Sequence, residues 1–335
     1  MKPIRMTSRS CVKHRTIVHD KLAMHGMTNK NQRLIKGRMG KHLFTTRLHK
    51  EDTRELKMGG RVRICPMRLF KGVLTAAFKA SGLWHLGHRQ FMNPIVRKHE
   101  FCIKNLDPRL NGLTILHLSD LHLDLDTSLT PIVFEKIKDL KYDIAVITGD
   151  FNNFTVHMDG TALKEMTKLV AGFSAPIFGV LGNHDSLRDI PILESLGVRI
   201  LLNESVMLTH NAAEWQLAGI DDPNIFRTHD LKKALETKTK TSLTLLLAHA
   251  PSIYSEAAAH DVDLVLCGHT HGGQICLPGG GIILRNIDKG PRHVQKGYWR
   301  EGRTQGWTSS GTGACGIPVR INCPPEIMLH CIVAE

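Results

Sequence analysis

Short apolar runs recur along the C-terminal two thirds of the chain, and each breaks off abruptly into Gly, Ser, Asp, Asn or His. Leu113 to Leu118 ends in Ser119-Asp120-Leu121-His122. Ile144 to Thr148 ends in Gly149-Asp150-Phe151-Asn152, and Ile177 to Leu181 ends in Gly182-Asn183-His184-Asp185. Ser242 to Leu247 runs into Ala248-His249-Ala250, and Val262 to Cys267 into Gly268-His269-Thr270-His271-Gly272-Gly273-Gln274. Runs of this length bounded by turn residues read as buried strands. Helical spacing separates them over 128–140, 160–171, 230–236 and 252–259, the first with Pro131 in its opening turn. Strands alternating with helices predict an α/β body with at least one parallel sheet. The short runs 199–202, 206–209 and 215–219 lie close together, which predicts a second, partly antiparallel sheet. The tail, 274–333, reads as strand and turn.

The N-terminal third has a different pattern. Residues 1–65 show no sustained periodicity and predict a basic, disordered extension. Over 66–99, Phe70, Val73, Leu74, Ala77, Leu83 and Trp84 recur at near-helical spacing with Arg68, Lys71, Lys79 and Arg89 between them. This amphipathic helical segment has two readings, a helix packed on the body or an interfacial helix on an anionic membrane. The body is expected to occupy 100–335.

Charge follows the same division. The chain carries a formal net charge of +13, but residues 1–110 hold 25 Lys+Arg against 6 Asp+Glu, and the remainder 19 against 25. The basic character belongs to the N-terminal region rather than to the body. No aromatic interleaving or recognisable module supports nucleic-acid binding by that region. None of the 8 cysteines is in C-x-x-C spacing, so a zinc ribbon or thioredoxin motif is excluded and a reducing compartment is expected. There is no apolar run of membrane-spanning length and no signal-peptide h-region, so the expectation is a cytoplasmic protein, with any membrane contact peripheral and on the cytoplasmic face. The glycine pattern from Gly311 to Gly316 fits G-x-G-x-x-G, but Pro318 and Pro324-Pro325 follow where a helix would be needed. It reads as a turn between strands.

The five polar strand ends carry Asp120-x-His122, Asp150, Asn183-His184-Asp185, His249 and His269-x-His271. Ligands of α/β sheets gather outside the carboxyl ends of strands, so these groups can converge on one rim. Gly272 and Gly273, without Cβ atoms, would let the backbone approach an ion or oxyanion closely. Carboxylates, imidazoles and one amide carbonyl, with no thiolate, suit Mn, Zn or Fe better than Mg, Ca or copper. Seven side chains can fill two sites only if one bridges, and a carboxylate bridges best.

These five blocks resemble those of the calcineurin-like metallophosphoesterases, and the Gly-His-Thr-His-Gly-Gly-Gln version is similar to a bacterial branch of that family. The resemblance runs from Leu113 to the C-terminus. It implies two packed mixed β-sheets flanked by helices, a four-layer αββα sandwich. It implies that Asp120, His122 and His271 bind one ion, that Asn183, His249 and His269 bind a second, and that Asp150 bridges. Both ions could be divalent, or one trivalent. The implied activity is hydrolysis of phosphate mono- or diesters by a metal-bridging hydroxide, with His184 protonating the leaving group and Asp185 orienting His184. A narrower alternative is hydrolysis of the pyrophosphate of a nucleotide-linked lipid such as UDP-2,3-diacylglucosamine. A non-catalytic scaffold and a nucleic-acid binder are the remaining classes. Phe151-Asn152-Asn153 departs from the family's usual residues after the Gly-Asp, which reshapes the pocket wall without removing a ligand. The substrate and the oligomeric state are not legible.

Overall fold

The computed structural model describes residues 27–59, 66–153, 158, 160–236, 242–282 and 290–335, with side chains omitted at 55–59 and 66–70. Two six-stranded mixed sheets form the body. The first has the order β1 (Ile95–Ile103), β12 (Glu326–Ala334), β2 (Leu113–Leu118), β3 (Ile144–Ile147), β4 (Ile177–Gly179) and β5 (Val198–Ile200). Here β2 through β5 run parallel, and β12 is antiparallel to β2. The second has the order β10 (Gly297–Glu301), β11 (Thr304–Thr308), β9 (Leu264–Cys267), β8 (Thr244–Leu247), β7 (Ala213–Gly219) and β6 (Glu204–His210).

Alternation along the strands builds the layers. On β2 and β3, Leu113, Ile115, Ile144 and Val146 face the second sheet and pack with Leu245, Leu247, Leu264, Leu266 and Trp215. Their neighbours Leu116, Leu118, Ala145 and Ile147 face outward under α5 (Leu129–Ile137) and α6 (Gly160–Val170). On the far side, Leu246 and Val265 pack with residues of α7 (Leu231–Ala234) and α8 (Tyr254–Ala259). Strands buried on both faces are apolar over most of their length, and the Asp, Asn and His clusters follow at their carboxyl ends. The expected strands of the body form, but the 199–202 run becomes β5 at the edge of the first sheet, parallel to β4, and only β6 and β7 of that group make the antiparallel pair of the second. The Gly311–Gly316 run is a turn region between β11 and β12.

The N-terminal expectations need correction. Residues 1–26 and 60–65 lie outside the described residues, but 29–59 is not a disordered arm. It forms α1 (Asn29–Met39) and α2 (Lys41–Gly59). Both dock on the body: Ile35, Met39, Phe44 and Leu48 join the outer core of the first sheet. Arg38 of α1 pairs with Glu194 at 2.8 Å and Glu204 at 2.6 Å. The buried stripe of α2 is Phe44, Arg47, Leu48 and Glu51, at helical spacing but half charged, so apolar periodicity does not reveal it.

The segment 66–99 is also not one helix. It divides into α3 (Pro66–Ala80) and α4 (Leu83–Phe91) at Gly82, whose φ of +74° ends the first helix. Strand β1 then starts at Ile95, so position 100 falls inside a strand of the first sheet. Phe78 of α3 packs on Ile317 and Val319, which supports the body-packed reading for its inner side.

Candidate metal centre

Three loops from the first sheet and two from the second meet between them. Asp120, His122, Asp150, His269 and His271 all have positive φ, between 44° and 69°. For residues with a Cβ this costs roughly 1–3 kcal/mol each, and such strain is held where a site requires it. Close backbone approach lets the loops converge. A Cβ on Gly268 would lie 1.8 Å from Ser119 Oγ and 2.4 Å from Asp120 Oδ2, and one on Gly182 would lie 2.2 Å from Asp150 Oδ1. Gly272 and Gly273, by contrast, face Cys323 and Ile282, so their absent Cβ atoms serve packing rather than close approach to an ion.

Two clusters of donor atoms result. Asp120, His122, Asp150 and His271 form one, Asp150, His249 and His269 the other, each with its atoms within 4.8 Å of one another. Asp150 belongs to both. Asn183 Oδ1 lies 3.1 Å from His249 Nε2, beside the second cluster. The seven predicted ligand residues are therefore brought together between the two sheets.

The imidazoles are oriented by their outer nitrogens. His122 Nδ1 donates to the Asn152 carbonyl at 2.6 Å, and His249 Nδ1 to the Thr148 carbonyl at 2.7 Å, which turns both Nε2 lone pairs inward. Inside, His122 Nε2 and His271 Nε2 are 3.2 Å apart, and His249 Nε2 and His269 Nδ1 are 3.1 Å apart. Facing nitrogens share at most a proton, and a cation satisfies both. Burial works against charge at Asp150 and His249. Their contact at 3.3 Å nevertheless holds the Asp150 carboxyl well below its usual range and lifts His249 to about 10. A positive charge is thus favoured where the cluster's donors converge, and carboxylate plus imidazole fits a borderline divalent or trivalent cation.

Several supporting residues were not foreseen. Ser119 Oγ donates to Asp120 Oδ2 at 2.6 Å and accepts from Thr148 Oγ1 at 2.7 Å. Thr148 in turn meets buried His117 at 2.9 Å, so a hydrogen-bonded chain holds Asp120 from the inter-sheet core. The Asn224 side-chain amide lies 2.9 Å from His269 Nε2. Fully buried Arg320 holds the carbonyls of Ser310, Gly313 and His271 and so pins the 311–316 turn against the site. Cys315 Sγ clusters with His122 and His271, and it lies 3.9 Å from His184 Nε2. These are single residues in loops without a spacing signature.

His184 sits at the rim. Its backbone N–H donates to Asp150 Oδ1 at 2.8 Å, and its Nδ1 donates to the Asn153 carbonyl at 2.9 Å, leaving Nε2 free of the ligand set. Burial pushes its pKa down to about 3, against the upward pull of the Asp150 carboxylate. Asp185 is placed differently from the expectation. Its carboxylate accepts from the backbone amides of Asp150, Phe151 and Gly182 at 2.7–2.8 Å. It clamps two ligand loops together and makes no hydrogen bond to the His184 ring, because the backbone turn directs the two side chains apart.

Residues 113–273 match the calcineurin-like phosphoesterase family, a span that contains all nine predicted site residues. An uncharacterized metallophosphoesterase of Bacillus subtilis (strain 168) is 31% identical over 67% of this chain and 84% of its own length. A transmembrane protein with metallophosphoesterase domain from Bos taurus is 32% identical over 70% of this chain, which spans 56% of that relative. Among solved structures, NAD nucleotidase of Haemophilus influenzae is similar with a TM-score of 0.40 and 16% identity, over 61% of this chain and 46% of that one. With the bacterial relative matched over most of its length, this chain belongs to the calcineurin-like metallophosphoesterases.

Proposed function

We propose that the chain is a dinuclear metal-dependent phosphoesterase. The observation that carries this is Asp150, whose carboxylate belongs to both donor clusters. In this reading Asp120, His122 and His271 hold one ion, Asn183, His249 and His269 the other, and Asp150 both. Mn, Zn or Fe suits the donor set. When bound, the pair would supply Lewis acidity and an activated water for in-line attack on phosphorus.

The chain's own residues do the rest. Asp185 fixes the spacing of the Asp150 and Asn183 loops through its three amide donors. The His184 imidazole rests neutral with its Nδ1 proton on Asn153 and Nε2 facing outward. A phosphoryl anion beside Nε2 favours the imidazolium, so the proton is taken up with substrate and passed to the departing oxygen.

A second reading, a pyrophosphatase acting on a nucleotide-linked lipid at a membrane surface, is favoured by Val73, Leu83 and Leu86. They are 60%, 44% and 39% exposed on the outer side of α3 and α4, with the exposed cations Lys79 and Arg89 on the same two helices. No described helix is long and apolar enough to cross a membrane.

One experiment tests both. Chelator-treated protein should be inactive on an aryl phosphate ester, and Mn(II) should restore turnover. Equal turnover with and without metal would refute the dinuclear reading. A panel of monoester, diester and nucleotide-diphosphate lipid in anionic vesicles then separates the two, since only the second reading expects the lipid to be preferred.

A further inference from the structure

The family match begins at Leu113, yet the rim of the donor clusters includes residues from well before it. Helix α2 lies across the Gly182–Leu187 loop. Arg47 holds the carbonyls of Gly182 and Asp185, and Glu51 accepts from Ser186 Oγ at 2.6 Å and the Leu187 amide at 3.0 Å. One helical turn beyond Glu51, Arg54 donates from Nη1 to the backbone carbonyl of Asn183. Its guanidinium carbon is 6.0 Å from the ring centre of Phe226, in the loop that carries Asn224. Asn183 adjoins His184, whose backbone N–H donates to Asp150 Oδ1 at 2.8 Å, so the guanidinium stands one residue along the loop from the contact with the carboxylate shared by both clusters.

A second cation flanks the same rim. Lys71 on α3 has its ammonium 3.9 Å from the position a Gly316 Cβ would occupy. The Gly316 amide donates to Asn153 Oδ1 at 2.9 Å, and the Asn153 carbonyl holds His184 Nδ1. Cys315 precedes Gly316 in the chain, and its Sγ lies 3.9 Å from His184 Nε2. Arg54, Lys71 and His184 Nε2 therefore surround one patch of the rim beside Asp150.

We propose that Arg54, assisted by Lys71, recognises the outer oxygens of a terminal phosphoryl group, so that the preferred substrate is a phosphomonoester or a terminal pyrophosphate rather than an internal diester. This rests on the phosphoesterase reading of the site. A terminal phosphoryl group carries a second negative charge and three unshared oxygens, which a planar guanidinium fork and an ammonium complement. A diester has one charge and covers one of those oxygens with its second alcohol. An arginine that served only to cap the Asn183 carbonyl would show no such preference.

The test compares the full chain with Arg54→Gln, Arg54→Lys and Lys71→Gln, each loaded with Mn(II). Turnover is measured on p-nitrophenyl phosphate and bis-p-nitrophenyl phosphate, and binding of inorganic phosphate by calorimetry. Loss of a charge-assisted contact should lower monoester kcat/KM in Arg54→Gln by about 10- to 100-fold, chiefly through KM. The diester should lose less, and phosphate affinity should fall by a factor similar to that for the monoester. Arg54→Lys should recover part of the loss, and Lys71→Gln should show the same preference more weakly. Metal content by elemental analysis should stay at the parent value. Equal losses on both esters, unchanged phosphate affinity, or loss of metal in Arg54→Gln would overturn the inference and leave Arg54 a structural cap. If the parent hydrolyses neither ester but binds phosphate through Arg54, the phosphoesterase reading fails and the assignment of Arg54 as an anion contact stands.

Discussion

Replacing Asp150 by Asn removes the one carboxylate common to both donor clusters. The variant should lose metal from both sites by elemental analysis, and its turnover should fall with the metal. His184 differs, because its ring is tied to Asn153 and its Nε2 is outside the two clusters that share Asp150. His184→Asn should keep the parental metal content while turnover drops roughly 10²–10⁴-fold, the usual range for lost acid–base help. The drop should shrink for nitrophenolate, which leaves without a proton. Metal loss in His184→Asn, or an equal defect with good and poor leaving groups, would remove it from the acid role. At this scale the sequence was informative because each candidate ligand terminates an apolar run, which gives it a recognisable place. The residues that orient the ligands have no such mark: Ser119, Thr148 and Asn224 act by side-chain geometry that only the folded loops create.

Helix α2 shows what an apolar pattern misses at the scale of an element. Sheets and flanking helices of the body were legible because their buried faces are Leu, Ile and Val at spacings of two or about four residues. In α2 the same inward positions include Arg47 and Glu51, both fully buried and paired at 3.0 Å, with Arg47 Nη2 on the carbonyls of Gly182 and Asp185 and its guanidinium stacked 3.3 Å over the Phe226 ring. Polar burial of this kind gives a sequence the look of a solvated arm. The structure predicts the opposite of a dispensable extension. Arg47→Met removes the cation beside buried Asp221, leaves Glu51 with Arg188 as its remaining cationic partner, and frees the carbonyls of Gly182 and Asp185. Breaking a buried pair from one side costs about 3–5 kcal/mol. Urea unfolding of the metal-free variant should show a loss of that size with an unchanged m-value, and deletion through residue 65 should give insoluble or inactive protein. A soluble, fully active deletion would mean that α2 rests on the body without supporting it.

Across the whole molecule, the candidate ligands divide between the two sheets. Asp120, His122, Asp150 and Asn183 follow strands of the first, whereas His249, His269 and His271 follow strands of the second. Away from this edge the sheets are held by an apolar core of Leu, Ile, Val and Trp215. At the edge, buried acids and imidazoles replace it, with His249 Nε2 3.3 Å from an Asp150 carboxylate oxygen. A cation bound between them relieves the burial of like nitrogens and links one sheet to the other through Asp150. Metal should therefore act as a cross-brace as well as a cofactor. Binding to the folded state alone stabilises by about 2.7 kcal/mol when free ion is a hundredfold above its Kd. Chelation should lower Tm by several degrees and speed amide exchange at the ends of β8 and β9 together with those of β2 and β3. In Asp150→Asn the same chelator should leave Tm nearly unchanged, because the variant has little metal to lose. Faster exchange confined to one sheet on chelation would mean that the ions sit within a single set of loops and that the two sheets are joined by their apolar core alone.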